Sequence, residues 1–372
     1  WRALASLGLA AVQQARLTAD PSWYPRAEQA LRRSLALAPN GNVDALLGMG
    51  ALALARHDFA TALQWGRRAH RANPDGAAPL GVVGDALVEL GRYREAFRAF
   101  QRMVDLRPDL ASYARASYAL ELQGDVPRAL RAMRLAFGAA GTPADAAWAA
   151  HQVGELHWSV GQLELAGRWY RRALQLDPSF VPARAGLARV AWARGHAARA
   201  RRLLRSAVEV YPLPEYVVAL GDLYLASGDR ARAEEQYALA RAEQRLFRAN
   251  GVNVDLELAL FQADHGMDVE AALARARAEY LRRPSVQAAD VLAWTLYANG
   301  RYEEAWRFAR EALRLGTKNA LFHFHAGMIA LRLGDREEAR RHLSAALSLN
   351  PWFSFLHAAE ARRALERLEA QG

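Results

Sequence analysis

Glycine returns along this chain at an almost constant interval. Gly91, Gly124, Gly161, Gly195, Gly228, Gly266, Gly300 and Gly334 are separated by 33, 37, 34, 33, 38, 34 and 34 residues. Five residues after each stands an alanine: Ala96, Ala129, Ala166, Ala200, Ala233, Ala271, Ala305 and Ala339. Seven residues before each the side chain is small: Gly84, Ser117, Gly154, Ala188, Gly221, Ala259, Ala293 and Gly327. Near the seventeenth position after the glycine, Pro108, Pro178, Pro212 and Pro351 fall where a helix interior could not continue. Self-similarity at this period means a stack of equal units rather than two or three separate globules. Small residues at fixed spacing predict tight helix crossings, so each unit reads as helix, turn, helix, stop.

The clearest units carry Leu80, Gly84, Leu87, Gly91, Tyr93, Ala96, Phe100, Pro108 and Val153, Gly154, His157, Gly161, Ala166, Tyr170, Ala173, Pro178. This pattern resembles the tetratricopeptide repeat over nearly the whole chain. The resemblance implies an all-α, right-handed α-solenoid of about ten helical hairpins. An earlier unit keeps Gly50, Ala62, Ala69 and Pro74 with His57 at its turn, and a more degenerate one ends at Pro39. Counting outward predicts repeats at 8–42, 43–76, 77–109, 110–143, 147–180, 181–213, 214–251, 252–285, 286–319 and 320–353. A capping helix is expected over 354–370, where Leu356, Leu365 and Leu368 alternate with charged residues. The two long spacings put extra residues at 138–143 and 241–254, which mark candidate bends. Repeats of this kind bury their apolar faces only on neighbours, so loss of a terminal unit is expected to weaken the stack gradually.

Chemistry in the usual sense is not legible. There is no cysteine, which excludes disulfides and thiol catalysis, and the phosphate-loop, zincin, nucleophile-elbow and dinucleotide motifs are missing. No enzyme activity and no cofactor are expected. His323 and His325 are two apart on a helix and point away from each other, so one is expected in packing and the other in solvent. His151 and Glu155 share a face, but two ligands make a weak metal site, and none is assigned. Lys318 is the single lysine among 49 basic residues, and this Arg bias with abundant Ala and Leu suggests a GC-rich bacterial gene. No run approaches 18 apolar residues without charge. The start at Trp1 is read as the cut edge of a longer protein, leaving bacterial cytoplasm and envelope equally open.

In proteins that this one resembles, ligands lie in the concave groove formed by the first helix of each hairpin. Carried over by repeat register, those positions hold Asp20, Asp44, Asp85, Glu89, Glu121, Glu155, Glu215, Asp222, Asp264 and Asp290 against Arg16, Arg189 and Arg332. The formal charge of the whole chain is +10, so the compensating arginines, among them Arg168, Arg171, Arg172, Arg199, Arg201, Arg202 and Arg205, fall largely on second helices. Trp148, Trp158, Trp192, Trp294, Tyr118, Tyr297 and Phe324 share the nominal groove register, which makes them candidate anchors. The first candidate patch is Trp148, His151, Glu155 and Trp158 with Arg189, Trp192 and Asp222, and the second is Asp264, Asp290, Trp294 and Tyr297. The family's carboxylate clamp is missing: Lys318 lies outside the groove and Asn253 is its one asparagine. The expected partner is a neutral to basic protein or peptide with apolar anchors. The alternative is nucleic acid on the Arg-rich convex face.

Overall fold

The computed structural model describes residues 1–370, all of whose regular structure is helical. Five hairpins come first: α1 (Arg2–Thr18) with α2 (Trp23–Leu37), α3 (Val43–Ala55) with α4 (Phe59–Ala72), α5 (Ala77–Glu89) with α6 (Tyr93–Leu106), α7 (Leu110–Leu122) with α8 (Val126–Gly138), and α9 (Pro143–Ser159) with α10 (Leu163–Leu176). Five more follow: α11 (Val181–Ala193) with α12 (Ala197–Val210), α13 (Pro214–Ala226) with α14 (Arg230–Ala249), α15 (Asp255–Asp264) with α16 (Val269–Arg282), α17 (Val286–Ala298) with α18 (Tyr302–Ala312), and α19 (Ala320–Arg332) with α20 (Arg336–Leu349). A single helix, α21 (His357–Ala370), closes the stack.

Close crossings explain the small residues. Ala96, Ala166, Ala200 and Ala305 are fully buried. A side chain on Gly154 would meet the Tyr170 ring at 2.6 Å, so the glycine lets α10 lie against α9 inside one hairpin. The two long periods are absorbed by helices and not by loops. α9 has 17 residues where most first helices have 13, and α14 has 20 where most second helices have 14. The six added residues extend α14 by about 9 Å, and the following α15 shrinks to 10 residues.

The stack does not obey the nearest-neighbour expectation. Contacts between residues 192 to 196 apart recur along the chain. The His57 ring bonds the Asn253 carbonyl at 2.7 Å, Val286 donates its N–H to the Tyr93 hydroxyl at 2.7 Å, and Thr317 donates to the Leu122 carbonyl at 2.5 Å. Asn350 donates its side-chain amide to the Trp158 carbonyl at 2.8 Å. At the far end of the series the Tyr211 hydroxyl donates to the Arg16 carbonyl. The superhelix therefore completes a turn in just under six hairpins and lays the second turn directly on the first. The turns of early hairpins meet the loops between late ones along a continuous seam. One core cluster joins both levels, with Phe100 and Leu122 packed alongside Val286, Ala289 and Phe322.

Candidate partner-binding surface

The inner wall is built from first helices, and its carboxylates are mostly occupied. Glu155, next to Gly154 on α9, accepts the Tyr170 hydroxyl of its own hairpin at 2.8 Å and pairs with Arg189 of the next first helix. The His151 Nε2 lies 3.2 Å from the same oxygen. Burial opposes the charge on Glu155, but Arg189 and His151 outweigh it and hold the carboxyl far below the usual range. The arrangement repeats: Asp85 takes a bidentate contact from Arg115 at 2.7 and 2.9 Å, and Asp222 accepts from the Tyr237 hydroxyl and lies beside His265 Nε2, both at 2.9 Å. Asp264 accepts from the Trp294 indole at 2.8 Å and meets His357 at 3.0 Å, and Asp290 meets His325 at 3.0 Å. Each tie fastens one hairpin to a later element, as a desolvated carboxylate requires.

This corrects the picture of a free acidic groove. Asp85, Glu155, Asp222, Asp264 and Asp290 are spoken for, and Glu89 reaches Arg283 across the seam at 3.2 Å. Glu121 and Glu215 form no ion pair with a cation among the described residues. Burial, with Glu155 adding repulsion, pushes Glu121 up to about 7. Glu215 touches solvent, yet the surrounding protein still raises its pKa. Glu215 lines the lumen of the superhelix.

Several expected anchors are interior. Trp158 is 6% exposed and packs with Tyr170, Val190 and Trp352. Trp294 is 5% exposed and lies between Tyr297, stacked at 4.5 Å, and His325 at 4.2 Å. Asp290 and Phe324 are also buried. One step of register separates groove from hairpin interior, and the helices place these side chains inward. His325 is buried and His323 half-buried, bonding His342 at 2.9 Å, with burial and nearby cations lowering the His323 pKa to about 4. Asn253 sits in the loop before α15, donating to Glu279 at 2.7 Å.

His151, Glu155 and Arg189 do come together, with Trp192 adjoining through Phe355. Trp148 is exposed at 36%, one turn from His151. His151, Glu155 and Arg189 line a cavity of ≈ 320 Å³ with Glu215, Tyr216 and Phe355. Phe355 comes from the turn before α21 and meets the Trp192 ring edge-on at 5.8 Å, so the chain's own C-terminal segment forms one wall of the patch. Asp222 is tied to His265, and the second patch, Asp264, Asp290, Trp294 and Tyr297, is a packed network rather than an exposed surface. The sequence signal for the ties was present in the recurrent pairs Gly84–Asp85, Gly154–Glu155 and Gly221–Asp222. The contribution of Phe355 had no local signal.

Models of the tetratricopeptide repeat match residues 84–146, 157–218 and 320–351. This is a tetratricopeptide-repeat protein. It is 30% identical over 188 residues to the Cellulose synthase 1 operon protein C of Komagataeibacter xylinus, covering 48% of this chain and 13% of that protein. It is 27% identical over 168 residues to the TPR repeat-containing protein YpiA of Bacillus subtilis, covering 36% of this chain and 39% of YpiA. The chain thus spans well under half the length of either curated relative. Among solved structures, the APC/C hetero-tetramer Cut9-Hcn1 has a chain that matches with a TM-score of 0.51 at 17% identity, over 95% of this chain and 68% of that one. The human IFIT1 dimer with PPP-AAAA matches at 0.52 and 17%, over 80% and 69%. These likenesses show a shared helical solenoid. Among the described residues no helix is long and apolar enough to cross a membrane, and no three His, Cys, Asp or Glu gather as a metal site.

Proposed function

We propose that this protein is a non-enzymatic interaction scaffold that holds a partner polypeptide at the inner surface of units five to seven. The observation that carries the reading is the wall formed by His151, Glu155, Arg189, Glu215 and Tyr216, with exposed Trp148 one turn before His151 on the same helix. This wall offers aromatic faces, a fixed ion pair and one unneutralised carboxylate, which suits a neutral to basic segment carrying an apolar anchor. Because the seam closes the side of the superhelix, the segment enters along the axis, which favours an extended strand over a folded domain. Solenoids offer long repeated surfaces; that analogy supports the general role and not the site.

Affinity capture on the immobilised chain, followed by mass spectrometry, identifies the partner, and calorimetry then tests the site. Trp148→Ala is expected to weaken binding by about 30-fold at an unchanged melting temperature, the loss typical of an exposed aromatic hot spot. Trp158→Ala is expected instead to lower stability by about 3–5 kcal/mol, as removal of a buried indole does. Undiminished affinity in Trp148→Ala rejects this site. A second reading rests on the unpaired, exposed arginines Arg168, Arg171, Arg172, Arg199 and Arg202 of α10 and α12, which would hold nucleic acid with a steep salt dependence. Reversal of Arg171 and Arg172 to Glu abolishes binding on that reading and leaves the lumen reading untouched.

A further inference from the structure

The seam between turns opens where the repeat period changes. Tyr211 with Arg16 closes it on one side and Asn253 with His57 on the other. Between them Tyr24, Ala55 and His57 of the first turn face the second turn across a cavity of ≈ 630 Å³. The opening follows from the long α14 and short α15. The inward stripe Ala233, Tyr237, Ala240 of α14 continues into the added turns as Gln244 and Phe247, side chains that an ordinary second helix would not possess. The wall is otherwise mainly apolar, with Leu213, Val218, Val254 and Leu260.

Two polar groups, Gln244 and Glu215, stand on this wall. Gln244 is only 5% exposed, yet its amide makes no side-chain hydrogen bond among the described residues. The amide opens onto the cavity, where an occupant could bond it. Glu215 lines this cavity as well as the smaller one on the inner wall, and it has no cation of its own. The remaining charged groups do not change the sign. Asp264 is engaged by Trp294 and His357, while Glu257, half exposed, has only distant contacts with His57 at 3.9 Å and Arg283 at 4.0 Å. An apolar chamber with carboxylates and an amide repels anions and leaves neutral amphiphiles without a charge partner.

We infer that this cavity binds a small amphiphilic cation, its aliphatic or aromatic body against Val218, Phe247 and Leu260, and its ammonium head between the Glu215 carboxylate and the Gln244 side-chain carbonyl. The volume lies within the range of small-molecule sites. The site shares Glu215 with the polypeptide surface proposed above but needs neither Trp148 nor a partner.

Calorimetry on the full chain with nonylamine, 1-nonanol and nonanoate, each below its aggregation threshold, separates charge from chain. The expected result is one nonylamine per chain, at least tenfold weaker 1-nonanol and no measurable nonanoate. Glu215→Gln should bring nonylamine down to the level of the alcohol without changing the alcohol. Val218→Trp fills the chamber and should abolish both; if that variant melts early, Gln244→Leu serves in its place, weakening nonylamine while the fold stays intact by circular dichroism. Equal binding of all three compounds, no nonylamine binding, or nonylamine binding indifferent to Glu215→Gln and Gln244→Leu overturns the inference. Occupation of the chamber only by a partner polypeptide appears as the second of these outcomes.

Discussion

The two turns of the superhelix use the same hairpin but are fastened differently. In the first, ties between neighbouring hairpins are made by arginine, Arg115 on Asp85 and Arg189 on Glu155. In the second the inner-wall acids are held by histidine, with His265 on Asp222, His325 on Asp290 and His357 on Asp264. The glycines of the turns differ in the same way. Gly91, Gly124 and Gly161 all adopt left-handed backbone conformations, and a Cβ on any of them would run into a backbone carbonyl of the second turn, at Pro284, Gly316 and Leu349. Gly195, Gly228, Gly266, Gly300 and Gly334 have the same conformation and nothing within 4 Å of that position. One motif residue thus answers to two constraints in the first turn and to one in the second. Conservation of the motif alone would hide the difference.

The sharpest way to break this comparison is Gly124→Ala against Gly300→Ala. Both place a side chain in the left-handed region, at about 1–2 kcal/mol. Only Gly124→Ala also forces the seam apart at Gly316, and its total loss is expected to reach about 3–5 kcal/mol. Equal losses by chemical denaturation would mean that the seam contributes nothing to stability.

A smaller effect separates the two kinds of tie. Burial opposes protonation of His357, but hydrogen bonds donated to Asp264 and Glu360 outweigh it and raise the ring to about 9; His265 is raised by Asp222 against the same opposition. Histidines with raised folded values stabilise fully below the unfolded value near 6.5 and lose that stabilisation as pH climbs through the folded value. Between pH 7 and 10 the second turn should loosen first, with limited proteolysis cutting around α21 while the arginine-tied first turn resists. His357→Gln should already show that cleavage at pH 7. Uniform protection at pH 10 would contradict the distinction.

The smallest effect concerns Glu121 on α7. Its folded value of about 7 exceeds the unfolded 4.5, so the folded state holds the proton longer and stability declines as pH rises between these values. Glu121→Gln should therefore match the parent near pH 4 and exceed it above pH 7, measured as urea midpoints.

The helices and hairpins could be read from the sequence because their signals are local. A glycine, an alanine five residues on and a small residue seven before describe contacts within one hairpin, and they needed no distant partner. The seam could not be read, because Gly124 and Gly300 look alike until residue 316 is placed beside the first. The site was half legible for the same reason. Trp148, His151 and Glu155 share a face by spacing alone, whereas the inward placement of Trp158 and Trp294 turns on a single step of register. The neutralisation of the acids depends on side chains one hairpin or more away, and Phe355 arrives beside Trp192 from 163 residues further along. Nothing in the neighbourhood of either ring announces the meeting.

The separation of 192 to 196 residues between seam partners also sets a clock for synthesis. At 5–20 residues per second a ribosome needs roughly 10–40 s to deliver the second level after the first. Throughout that interval the early hairpins are stacked on one another, yet their upper rim, with Tyr93, Leu122 and the carbonyl of Trp158, is uncovered and wet. A nascent chain stalled near its middle would present this rim to chaperones, and only the arrival of Asn350 at Trp158 would remove the last of it.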